Sequence, residues 1–188
     1  MASATPIPRL TTTSARQLVA KKLPPIRMIV GDLIPAGLVL VAGDPKAGKT
    51  LLLQDLALSV SAGQPALGSC HVDKGDVLYL ANEGGERSFR DRVVKMLDLD
   101  IDAVEADDDD VLQLVSDRLA IAETNEPLGE RLEVQLEWWL ADVQDPRLVV
   151  IDTYSSVAPE TRGVNRHQEA YTALAGLADL ATRWPNTL

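Results

Sequence analysis

The segment Gly43-Asp-Pro-Lys-Ala-Gly48-Lys49-Thr50 constrains this chain more than any other. It meets the pattern G-x-x-x-x-G-K-[ST] at every fixed position. The residues before it, Gly37-Leu-Val-Leu-Val-Ala42, are short, apolar and rich in valine, the pattern of a strand buried on both faces. The residues after it, Lys49 to Ala62, carry Leu52, Leu53, Leu56 and Val60 at helical spacing. Strand, glycine-bounded loop and helix in that order imply an α/β fold.

The rest of the chain continues the alternation. Asp76-Val-Leu-Tyr-Leu-Ala81 predicts a second buried strand, followed by a helix from Glu86 to Leu97. Arg118-Leu-Ala-Ile-Ala122 predicts a third strand. Leu132, Leu136, Trp139 and Val143 then mark one helical face, which Trp138 widens into a core stripe. Arg147-Leu-Val-Val-Ile151 is the fourth strand. A polar loop follows, then a helix from about Gln168 to Thr182 that ends before Pro185. The expectation is a mostly parallel sheet with helices on both faces and right-handed crossovers. Ligands of such sheets bind beyond the carboxyl ends of the strands.

Residues 1–25 are rich in Thr, Ser, Ala and Pro, contain no acid and lack periodicity, so they read as a flexible leader before one domain over 26–188. A transit peptide has a similar composition. The formal net charge is −10, but eight acids and no base lie between Asp98 and Asp110. Setting those eight aside leaves 20 acids against 18 bases, a net of −2, so the acidity is local and reads as a solvated loop. A calcium loop of the EF-hand kind would need an internal glycine and a terminal carboxylate. The acidic balance argues against a broad DNA-binding face, though not against DNA held in the channel of a ring. The single cysteine, Cys70, excludes an intramolecular disulfide and fits a reducing, cytoplasmic setting. Cys70 beside His71 reads as loop, not as a metal pair. No apolar run approaches the roughly 20 residues of a membrane span.

The chemistry of the glycine-bounded loop is that of phosphate binding. Gly43 and Gly48 permit backbone conformations that bring amides against phosphate oxygens, and the helix N-terminus adds favourable partial charge. Gly43, Asp44, Pro45, Lys46, Ala47, Gly48, Lys49, Thr50 and Leu51 are the candidate binding residues for ATP. Lys49 reaches the β- and γ-phosphates, and the Thr50 hydroxyl is a ligand for Mg²⁺. Asp152 ends the apolar strand Leu148-Val-Val-Ile151, which places a second metal-supporting carboxylate at a strand's C-terminal end. Hydrolysis also needs a group that orients or deprotonates water. Thr153 follows Asp152, so that strand offers no adjacent carboxylate. Glu83, two residues beyond Ala81, projects from the same sheet edge and is the candidate base, with Glu86 as competitor.

Gly43–Thr50, Val77–Glu83 and Leu148–Asp152 together resemble the RepA-like branch of RecA-fold P-loop ATPases, the AAA ATPase domain of plasmid and phage replicative helicases. Ile34–Gly43 and Ala62–Gly68 resemble that branch too, so the likeness runs from about Ile26 to the end. The resemblance implies nucleotide and Mg²⁺ binding by Lys49 and Thr50, metal support by Asp152 and water activation by Glu83. It also implies a ring, often a hexamer, acting on single-stranded DNA. Gly84-Gly85 replaces the acid that the branch often carries after the glutamate. Arg87, Arg90 and Arg92 fall where its members have arginines facing a neighbour or DNA. Members continue into a further strand, DNA-contacting loops and residues that reach a neighbour's ATP, so the stop at Leu188 reads as a C-terminal truncation. The absent strand is expected beside the P-loop strand, on the side away from Asp152. A recombinase or regulatory ATPase of the RecA/KaiC type, and a nucleotide-binding module with little turnover, are the alternatives. No lid-like arginine cluster supports a small-molecule kinase.

Overall fold

The computed structural model describes residues 11–23, 25–106, 108–158 and 166–184. The expected leader begins outside these residues. Within its described part, Ala15–Ala20 form a short helix, α1, whose N-cap Ser14 and Gln17 make a reciprocal capping box. No residue of α1 is buried.

Two short antiparallel strands follow, β1 (Met28–Val30) and β2 (Ile34–Pro35), a pair that periodicity could not reveal at such lengths. Helix α2 (Lys49–Ala62) starts after left-handed Gly48 and stops at left-handed Gly63, whose amide donates to Ser59 O. Strand β3 (Asp76–Ala81) is buried along almost its whole length. Helix α3 (Gly85–Met96) carries Glu86 in its first turn and Lys95 in its last, each favourable to the helix dipole.

The acidic run folds further than a loop. It forms α4 (Ile101–Glu105) and α5 (Asp109–Leu112), and the Asp100 and Asp108 carboxylates cap their first amides. Short acidic side chains at helix starts satisfy otherwise orphaned amides, so these two acids stabilise local structure as well as solvate it. Asp107 lies outside the described residues.

Strand β4 (Leu119–Ala122), helix α6 (Glu130–Asp142) and strand β5 (Pro146–Asp152) complete the sheet. A short helix α7 (Tyr154–Val157) and the long α8 (Arg166–Arg183) follow. The expected loop between them lies partly outside the described residues, as does Pro185. No helix among the described residues is long and apolar enough to cross a membrane.

The three sheet strands are parallel in the order β4-β3-β5, as the alternation predicts. Their pleat splits the core. Val77, Tyr79, Leu148 and Val150 pack with Leu56, Val60, Phe89 and Val93 from α2 and α3. Leu78 and Leu80 pack with Leu132, Leu136, Leu140 and Leu180 from α6 and α8. Within α6, Leu140 belongs to the core, whereas Trp138 is 70% exposed and does not widen the buried stripe. Trp138 stands two residues from both Leu136 and Leu140, and at about 100° per residue this places it nearly opposite the face shared by Leu132, Leu136 and Leu140.

The segment Gly37–Ala42 departs most from expectation. It belongs to no sheet, and Leu38, Val39, Leu40 and Val41 are exposed, Leu40 by 64%. Among the described residues β5 pairs with β3 on one side only. Between β5 and residues 37–41 runs an apolar groove of about 240 Å³, walled by Leu53 and Leu56 on one side and Leu136, Leu140, Leu177 and Leu180 on the other. Among the described residues the P-loop segment is therefore open toward the Asp152 strand as well, instead of being paired there with only its far edge free. Apolar valines and leucines suit a sheet interior, but a strand is buried only when its backbone has partners, and residues 38–41 have none among the described residues.

At the opposite end of the sheet, charges alternate across the strand starts. Arg27 pairs with Asp73, Arg147 with Asp73 and Asp145, and Arg118 with Asp76 and Asp145. This network ties β3, β4 and β5 together at the end away from the strands' carboxyl termini.

Candidate functional site

The carboxyl ends of β3 and β5 and the start of α2 converge on one place. Residues 44–47 form a turn closed by Ala47 N donating to Asp44 O at 3.2 Å. Lys46 (φ 66°) and Gly48 (φ 90°) adopt the left-handed conformation there. Gly43 does not. A Cβ on Gly43 would meet Ala47 Cβ at 3.8 Å and Lys49 Cδ at 3.9 Å, ordinary contacts, so the protein's own packing does not demand glycine at that position. Its backbone freedom is thus not what makes this loop, whereas that of Gly48 is.

The Lys49 ammonium donates to Gly43 O and Asp44 O, both at 2.9 Å, which holds it across the loop. One residue on, Thr50 Oγ1 lies 3.4 Å from Asp152 Oδ1, at the long limit of a hydrogen bond. Asp152 is only 3% exposed. Its other oxygen, Oδ2, accepts the Tyr79 hydroxyl at 2.7 Å. Among the described residues its side chain pairs with no lysine or arginine. A buried carboxylate with only neutral donors is costly without a compensating cation. Thr50 and Asp152 are oxygen donors on one spot, the donor chemistry that Mg²⁺ takes. No cluster of three or more His, Cys, Asp or Glu among the described residues could hold a metal alone. A cation here would complete its shell with phosphate oxygens and water.

Glu83 stands beside this pair. Its amide donates to Asp152 O at 3.1 Å, which fixes the end of β3 against the end of β5. Its side chain is exposed. Gly84 (φ 89°) and Gly85 (φ 67°) then turn the chain into α3. Glu86 sits beyond that turn, exposed, with its amide donating to Glu123 Oε1 at 2.9 Å. Arg87 and Arg90 are exposed on α3, Arg90 lying 3.7 Å from Asp91, while Arg92 is half-buried on the side nearer Tyr79. The Asp152–Thr153 peptide is cis.

Lys49, Thr50, Glu83 and Asp152 are thus gathered from three separate stretches of chain. A family model described as AAA domain matches residues 3–185. The chain belongs to the AAA domain family. No curated protein matches it. Membership in the AAA domain family makes this a nucleotide-binding ATPase domain.

Three residues of this AAA domain escaped sequence reasoning. Tyr79 had one signal, a hydroxyl in an otherwise apolar buried strand. Glu123 comes directly after β4, and its carboxylate accepts the Glu86 amide in the first turn of α3. Asn82 accepts the Thr124 amide at 3.0 Å through Oδ1, while its buried Nδ2 has no hydrogen-bond partner among the described residues. Burial also raises the Tyr79 phenol well above its ordinary range, reinforced by its bond to Asp152, so it remains a donor.

Proposed function

We propose that this AAA domain binds ATP with Mg²⁺ and hydrolyses it as part of a RepA-like, DNA-dependent ATPase, a replicative helicase acting in the cytoplasm. The observation that carries the nucleotide part is the Asp152 carboxylate, buried beside the Thr50 hydroxyl and, among the described residues, paired with no basic side chain. Lys49 exchanges two loop carbonyls for phosphate oxygens, a stronger charge-assisted contact. Thr50 and Asp152 would hold Mg²⁺, which would supply positive charge to offset that of the phosphates. Glu83 accepts a proton from water as the water oxygen bonds to the γ-phosphorus and the bond to the β–γ bridging oxygen breaks. ADP leaves with that electron pair.

The DNA part rests on the resemblance carried by Ile34–Gly43, Ala62–Gly68 and the strand-end motifs. Single-stranded DNA, a homohexameric ring and arginines of α3 facing a neighbour belong to this reading. A nucleotide-binding module with little turnover is the second reading. It is favoured by the exposure of residues 38–41, which leaves the P-loop without the rigid sheet support that positioning requires.

Phosphate release by the full chain with and without single-stranded DNA, for wild type and Glu83→Gln, tests the proposal. Stimulation by DNA and loss of turnover with retained nucleotide binding in Glu83→Gln are expected. Unchanged turnover in that variant would sink the role of Glu83, and binding without turnover in wild type would favour the second reading. Strand displacement from a forked duplex separates a helicase from a recombinase or regulatory ATPase.

A further inference from the structure

We propose that Tyr79 is a positioning residue for the metal-binding carboxylate, holding one oxygen of Asp152 so that the other stays turned toward Thr50 and the cation. The inference rests on the functional reading above and adds a residue which that reading does not use.

The sheet register makes the contact possible. Tyr79 pairs with Val150 across parallel β3 and β5, so Tyr79, Val150 and Asp152 share the face that packs on α2. A tyrosine ring is long enough to reach past Val150, and its hydroxyl meets Asp152 Oδ2 at 2.7 Å. The ring itself is fixed. Tyr79 is 1% exposed and tilts against Phe89 with centroids 4.8 Å apart and an interplanar angle of 60°.

A core tyrosine satisfied by the nearest acceptor would look similar, but the acceptor here is not neutral. Among the described residues, the Asp152 side chain has only the hydroxyls of Tyr79 and Thr50 as hydrogen-bond donors. With Oδ2 tethered, the carboxylate has one oxygen left to present, and its direction is set by a residue locked in the core. Without the tether it can rotate, and the cation meets a less ordered ligand. Phenylalanine would fill the same volume and keep the Phe89 contact, so the hydroxyl can be tested apart from the packing.

The experiment measures binding of a fluorescent ATP analogue to the full chain in EDTA and across a Mg²⁺ titration. For Tyr79→Phe, affinity in EDTA should change less than about twofold, whereas the Mg²⁺ midpoint should rise about tenfold, the lower end of what losing an outer contact to a metal ligand costs. In an Asp152→Ala background, Tyr79→Phe should shift the midpoint no further. An unchanged midpoint, an equal loss with and without Mg²⁺, or a full effect in the Asp152→Ala background would overturn the proposal. The double substitution keeps the comparison decisive even if Tyr79→Phe lowers stability. A wild-type chain that binds no nucleotide, in EDTA or with Mg²⁺, would overturn the nucleotide reading itself, before any variant is compared.

Discussion

Thr50 Oγ1 and Asp152 Oδ1 lie 3.4 Å apart although 102 positions separate them in the chain. The start of α2 and the end of β5 therefore bring two side-chain oxygens to one point. Neither residue alone makes a metal site. If that point holds the cation, Asp152→Asn should raise the Mg²⁺ needed for nucleotide binding by at least about tenfold, because a charged ligand becomes a neutral one. The same change removes a buried, unneutralised charge, so the melting temperature without Mg²⁺ should hold or rise. A marked fall would mean that the carboxylate is chiefly structural.

Lys49 is held by two loop carbonyls rather than by a carboxylate, so removing it should cost affinity and little else. Lys49→Ala should weaken nucleotide binding by roughly 10- to 100-fold, as expected for losing a charge-assisted hydrogen bond of about 1.5–3 kcal/mol. Urea denaturation without nucleotide should give a stability within about 0.5 kcal/mol of wild type.

The two loop glycines should separate. Gly48→Ala places a Cβ at φ 90°, so it should destabilise the domain by about 1–2 kcal/mol as well as impair binding. Gly43→Ala meets only ordinary contacts and should leave stability unchanged, with any loss confined to nucleotide affinity. Calorimetry with and without nucleotide distinguishes the two patterns.

Acid should unfold the domain through the charge network at the far end of the sheet. Burial, the largest influence on Asp73, raises its carboxyl, but Arg27 and Arg147 together bring it below the ordinary value of 3.8. The Arg118 hydrogen bond, foremost, and the Asp145 amide bring Asp76 below 3.8 against the opposing effect of burial. Both groups are lower folded than unfolded, so their stabilisation is fully present above about 3.8 and is lost as pH falls through the lower folded values. Asp76→Asn should cost about 1–3 kcal/mol at neutral pH and flatten the acid limb of a stability-against-pH curve. An unaltered acid limb would remove Asp76 from that role.

The groove beside β5 gives the sharpest structural test. Leu40→Lys should change stability by no more than about 0.5 kcal/mol, because Leu40 is 64% exposed. In a closed parallel sheet the same charge would be buried and cost several kcal/mol. An environment-sensitive apolar dye should bind the chain through the groove, and Leu136→Asp should abolish that signal only together with the α6 packing.

The glycine-bounded loop, its helix and the strands bearing Tyr79 and Asp152 were legible in the sequence because their signals are local. A run of valines and leucines, a helical period and a residue at a strand's end need no knowledge of distant contacts. The exposure of Trp138 was not legible, since one position of helical phase decides it. The capping by Asp100 and Asp108 was hidden inside a run of equal charges.

What the sequence determined by itself was the α/β alternation and the identity of Lys49, Thr50, Glu83 and Asp152 as candidates. Only the tertiary structure decided three further things: that Tyr79 reaches Asp152, that Glu123 caps α3, and that Leu38–Val41 lie exposed beside an open groove. The reason is physical. Composition and periodicity record what a side chain prefers, whereas burial and hydrogen-bond partners depend on which backbone edges meet, and those meetings are made by residues far apart in the chain.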